Sequence, residues 1–158
     1  METASWKNCR AEFVFDGGLI DLLVPGTGAR EWESFWTALL SGPFEIQGCR
    51  DSLPWPLPQT LAEVSAECQV ACIMVSVCSG AVTVNCHFFG PGDLELDIDP
   101  RQVVDEAAYQ SVLAVMRFVA SSVGLPVFAT PEGGSAEYAF LRVSPDGETA
   151  YHPTSSGG

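Results

Sequence analysis

The run Asp93-Leu94-Glu95-Leu96-Asp97-Ile98-Asp99 places carboxylates at every second position of a strand-like stretch. In an extended chain alternate side chains point to opposite faces, so Leu94, Leu96 and Ile98 can enter a core while the carboxylates line the other side. Their spacing of roughly 7 Å, with no Lys or Arg between them, leaves mutual repulsion unrelieved by the strand itself. Three chemistries suit such a row: plain solvation, docking of a cationic protein, or a divalent cation. Calcium requires oxygens converging from a turn, and no calcium-loop spacing is present. The expectation is therefore no metal and a basic partner, bound through Asp93, Glu95, Asp97 and Asp99 with neighbouring Asp105 and Glu106.

A second candidate site is Asn85 with His87. Cys86 precedes His87 directly, and strand neighbours face apart, so the two cannot form a thiol-imidazole dyad on one surface. The six cysteines (Cys9, Cys49, Cys68, Cys72, Cys78 and Cys86) contain no Cys-x-x-Cys pair and mostly sit in apolar sequence. They read as free thiols in a reducing cytoplasm, not as zinc ligands or disulfides. Gly133-Gly134-Ser135 matches neither a nucleophile elbow nor a phosphate loop. No catalytic signature or cofactor motif is present, which favours a binding protein over an enzyme.

The charge balance narrows the partner class. Seven basic against 20 acidic residues give a net charge of −13, which repels nucleic acid phosphates and anionic membranes and attracts cations. The opening Met1-Glu2-Thr3-Ala4-Ser5-Trp6-Lys7 lacks the features of a secretory signal. Val70 to Phe89 is apolar enough to raise a membrane helix, yet Ser79-Gly80 at its centre and polar residues after it fit two strands better.

The elements that must position these residues follow from periodicity. Glu12 to Asp16 and Leu19 to Val24 read as two short strands about Gly17-Gly18, or one bulged strand. Trp32, Phe35, Trp36, Leu39 and Leu40 mark a helical face, with Thr27 as expected N-cap and Gly42-Pro43 as its stop. A strand at Phe44 to Ile46 precedes Leu53-Pro54-Trp55-Pro56-Leu57-Pro58, read as irregular because of its prolines.

Cys68 to Phe89 is expected to form a hairpin turning at Ser79-Gly80, with Cys78 opposite Ala81. That register directs Ile73, Val75, Val77, Val82, Val84, Cys86 and Phe88 inward, and leaves Cys72, Met74, Ser76, Cys78, Thr83, Asn85 and His87 on the other face. Gly90-Pro91-Gly92 turns into the acidic strand. Asp99-Pro100 is expected to open the longest helix, with Val104, Ala107, Ala108, Ser111, Val112, Val115, Phe118, Val119 and Val123 buried and Gly124 as its end. A strand at Val127 to Ala129 and a hairpin from Glu137 to Tyr151 about Ser144-Pro145-Asp146-Gly147 complete the chain.

The expected architecture is α+β: one domain over residues 1–153, mainly antiparallel, with two principal helices packed on the sheet and a mobile tail over 154–158. In size, acidity and lack of a catalytic motif the chain resembles the immunity proteins that neutralise basic bacterial toxins. That resemblance implies an inhibitor of a cationic toxin or enzyme. The alternatives are a small enzyme or small-molecule sensor using Asn85 and His87, and a structural homodimer formed through a sheet face or edge.

Overall fold

The computed structural model describes residues 3–88 and 92–154. Among the described residues nine strands form one antiparallel sheet, in the order β3-β2-β4-β5-β6-β1-β7-β8-β9. They are β1 (Ile20–Val24), β2 (Glu45–Arg50), β3 (Leu53–Trp55), β4 (Ile73–Ser79), β5 (Val82–Phe88), β6 (Leu94–Ile98), β7 (Val127–Pro131), β8 (Leu141–Val143) and β9 (Thr149–Tyr151). The α-helices that accompany them among the described residues are α1 (Trp6–Cys9), α2 (Ala29–Ser41), α3 (Leu61–Cys68) and α4 (Glu106–Val123). The two long helices, α2 and α4, pack together, and α4 lies against β4, β5, β7 and β8. The α+β expectation holds.

One sheet face meets the helices and forms the core. Strands β4, β5, β6 and β1 all alternate between buried and half-buried positions. All seven hairpin side chains expected inward are buried, as are Leu94, Leu96 and Ile98. Yet the hairpin's pairing is shifted. Ser79 faces Val82, Cys78 faces Thr83 and Ile73 faces Phe88, so the loop is Gly80-Ala81, and not Ser79-Gly80. Gly80, at φ 56°, supplies the positive-φ position that a two-residue hairpin turn demands. Every residue's partner moves by two positions, an even number, so no side chain changes face.

Several expectations are corrected. Cys68 ends α3 and is not in the hairpin, which spans 73–88; Phe89, Gly90 and Pro91 lie outside the described residues. Glu12 and Phe13 belong to a 3-10 turn, Arg10–Phe13, so Gly17-Gly18 is neither a hairpin turn nor a bulge. The cause is packing: α1, capped by the Ser5 hydroxyl, runs on into that turn and carries Phe13 against Tyr109 and Phe140, 5.8 and 5.6 Å between ring centres. The proline-rich stretch does contain a strand. β3 is at the sheet edge, where the missing N–H of Pro54 disturbs only one side.

Helix starts also move. The α2 N-cap is Gly28, one residue after Thr27. Asp99-Pro100 opens only the 3-10 turn Pro100–Gln102; α4 begins at Glu106 with Asp105 as N-cap, its carboxylate accepting from Ala108 N–H at 2.8 Å. The buried stripe accordingly includes Tyr109, Leu113, Met116 and Ala120, while Val104 is 73% exposed and Ala107 is also exposed. Gly124, at φ 73°, closes the helix as expected. In the last hairpin, residues 136–138 form a 3-10 turn, and the Ser144–Gly147 turn is closed by a 2.8 Å bond from Gly147 N–H to Ser144 C=O. Thr154, expected to be mobile, bonds Glu12 through its N–H and hydroxyl; residues 155–158 lie outside the described residues.

Leu96 is fully buried on β6, an interior strand flanked by β5 and β1. Leu96→Ala removes this packing without touching the carboxylate face, and is expected to lower unfolding free energy by about 2–5 kcal/mol in urea titration.

Candidate functional site

The sheet face turned away from α2 and α4 brings together two groups that are separate in the sequence. Cross-strand partners share a face, so the pairings Ser76↔Asn85, Asn85↔Asp97 and Asp21↔Asp97 run a polar row across β4, β5, β6 and β1. Asp97 is its centre. The Oδ2 atom of Asp97 lies 2.6 Å from His87 Nε2, and its Oδ1 accepts from Asn85 Nδ2 at 3.5 Å. Asn85 Oδ1 in turn accepts from the Ser76 hydroxyl at 3.0 Å. The side chains of His87 and Asp97 are 26% and 14% exposed, so the pair is partly withdrawn from water.

Asp21 is the member that the sequence reading missed. It sits in an apolar strand, Ile20–Val24, with no acidic neighbour to draw attention, and only the β1–β6 register sets it opposite Asp97. Directly opposed like charges destabilise a sheet. Burial is the main cause that raises the Asp21 carboxyl above its ordinary range; the Gly133 N–H bonded to Asp21 Oδ2 at 2.9 Å opposes it, while Asp97 and Glu132 add to it. His87 moves upward too, chiefly through its hydrogen bond to Asp97, against the effect of burial. Among the described residues no Lys or Arg forms an ion pair with Asp21, Glu95 or Asp97.

The remaining carboxylates of the acidic run have structural partners. Asp93 Oδ1 accepts from the N–H groups of Gly26 and Thr27 at 3.0 and 3.1 Å, and from the Thr27 hydroxyl at 3.3 Å. That hydroxyl also accepts from Leu94 N–H and is buried, so the pair ties the β1–α2 turn to the start of β6. Asp99 caps the 3-10 turn and forms a fork with Arg101, Nη2 to Oδ2 at 2.7 Å, which lowers the Asp99 carboxyl. Asp105 caps α4, and Glu106 stands exposed in its first turn. Glu95 and Asp97 are therefore the two members of the run on the sheet face proper, joined there by Asp21.

The chemistry open to this surface is bounded. Among the described residues no group of three or more His, Cys, Asp or Glu side chains is arranged to hold a metal ion. Cys49, Cys68, Cys72, Cys78 and Cys86 are free thiols, and complete burial pushes the Cys86 thiol up, away from reactivity. No helix of the described residues is long and apolar enough to cross a membrane. The surface carries a half-buried imidazole-carboxylate pair among hydrogen-bonded polar side chains.

Fold and site together define an α+β domain with one sheet face under helices and the other carrying a carboxylate-rich row. No protein family, curated protein or solved structure matches the chain.

Two substitutions separate the structural carboxylates from the strained one. Asp93→Ala removes the acceptor of three hydrogen bonds and should lower the melting temperature. Asp21→Asn keeps an oxygen for Gly133 N–H but removes a charge that the folded state disfavours, so it should raise the melting temperature at pH 7. Thermal denaturation of both variants reads these opposite signs.

Proposed function

We propose that this chain is a protein-binding domain whose carboxylate-rich sheet face receives a cationic protein, and that it acts as an immunity-type inhibitor of a basic toxin or enzyme in the cytoplasm. The observation that carries the reading is the opposed pair Asp21 and Asp97, with Glu95 beside it and no Lys or Arg partner among the described residues. Stability alone does not favour such a pair, whereas an incoming guanidinium or ammonium would relieve its repulsion. The net charge of −13 supports the same reading, since a field of that sign speeds encounter with a basic surface. Glu95 and Asp97 would make the direct contacts with Asp21. Asp93, Asp99, Asp105 and Glu106 would add long-range attraction from turns and helix starts at the ends of the strand.

A small enzyme or sensor is the second reading, favoured by the orientation of His87 by Asp97 with Asn85 alongside. A carboxylate-oriented imidazole is a serviceable acid-base pair. A metabolite that raises the melting temperature of the wild-type chain but not of Asn85→Ala would favour it.

The leading reading is tested with the double variant Asp21→Asn/Glu95→Gln, which removes two charges while leaving the Asp93 and Asp97 hydrogen bonds in place. The protein is used to capture its partner from source cells, and association is then followed at two ionic strengths. The double variant is expected to associate about tenfold more slowly, with a flatter salt dependence. Unchanged association by the folded double variant would remove this face as the docking surface. Protection of cells that express the toxin distinguishes an immunity protein from other acidic binders.

A further inference from the structure

His87 is one of only two histidines, and three strands converge on it. From β6 it meets Asp97 at 2.6 Å, and Glu95 stands next along the same strand face. From β1 it feels Asp21, which Gly133 and Glu132 approach from the loop after β7. On its other side β4 presents Met74 directly opposite and Ser76 diagonally, neither of them charged. Among the described residues the charged groups that act on the imidazole, Asp97, Glu95 and Asp21, are carboxylates, and two of these, Asp21 and Asp97, are directly opposed.

We propose that His87 is a proton-operated counter-ion: with its proton it balances the Asp21–Asp97 pair, and on losing it the open face gains one negative charge at its centre. The hydrogen bond itself survives, because a neutral imidazole with its proton on Nε2 still donates to Asp97. What changes is the charge. The upward displacement of the His87 proton affinity agrees with this environment. Because the folded chain holds that proton more tightly than the unfolded one, the stabilisation is complete below about pH 6.5 and is lost as pH rises through the folded-state midpoint. One consequence rests on the binding function proposed above: a partner's cation at this face would displace the proton, so acidification would weaken the complex.

The free protein is enough for the test, which keeps it independent of any partner. NMR titration of the imidazole signals, with His152 as internal reference and His87→Gln for assignment, gives the His87 midpoint. It is expected above about 6.5 in the wild type and to fall in Asp97→Asn, with a smaller fall in Glu95→Gln. Should Asp97→Asn not fold, the falls in Asp21→Asn and Glu95→Gln carry the test. The melting temperature of wild type relative to His87→Gln should be raised at pH 6, and that advantage should shrink above the wild-type midpoint. A wild-type midpoint at or below 6.5, or one that no carboxylate substitution moves, overturns the proposal.

Discussion

Sealing one face of an antiparallel sheet is the constraint on which the rest of this structure depends. Once α2 and α4 cover that face, each interior strand has one correct side-chain parity, and a slip of one residue would bury Asp97 and Asp21 while exposing Leu96 and Leu22. Cores tolerate no such exchange, since an ionised carboxylate moved into apolar surroundings is far costlier than a lost methylene. The polar row on the open face is thus a consequence of the apolar row beneath it. Register across β4, β5, β6 and β1 aligns Ser76, Asn85, Asp97 and Asp21 without any of them having to specify the pairing.

Parity also explains what was legible in the sequence. Alternation located the inward residues of β4, β5 and β6 correctly even though the hairpin loop was placed one residue early, because the resulting pairing error was even. Helix α2 was legible from its aromatic stripe. The segment around α3 was not, although Thr60-Leu61-Ala62-Glu63 carries a capping box: Thr60 Oγ1 accepts from Glu63 N–H, and the Glu63 carboxylate faces Thr60 N–H. The alternating apolar residues farther along drew the strand assignment back to Cys68. Likewise the turn between β2 and β3 uses Asp51 and Ser52 at φ 48° and 67°, positions that normally announce themselves as Asn-Gly. Paired backbone and side-chain bonds between Asp51 and Cys72 hold it, and these are visible only after folding.

The candidate site was half legible for a related reason. Residue type and alternation sufficed to pick out Glu95, Asp97, Asn85 and His87, but adjacency between β5, β6 and β1 is a long-range fact. Asp21 is far from Asp97 along the chain, and a single acid in an apolar strand carries no local mark of what will lie opposite. Conversely, Asp93 and Asp99 looked equivalent to Glu95 and Asp97 by spacing, yet each lies just outside β6, where free backbone N–H groups of turns recruit it.

The two margins of the sheet bear on how readily a further strand could add to it. β3 and β9 are three residues each, and β3 carries Pro54 at its middle. Just beyond β9, His152 N–H bonds the Phe140 carbonyl, and the Glu12 carboxylate accepts from the Tyr151 hydroxyl and from the N–H and hydroxyl of Thr154. A strand arriving from another molecule would find only three residues of ladder on β3 or on β9. Strand addition is thereby discouraged at both three-residue margins, while the broad face between them carries the carboxylate row.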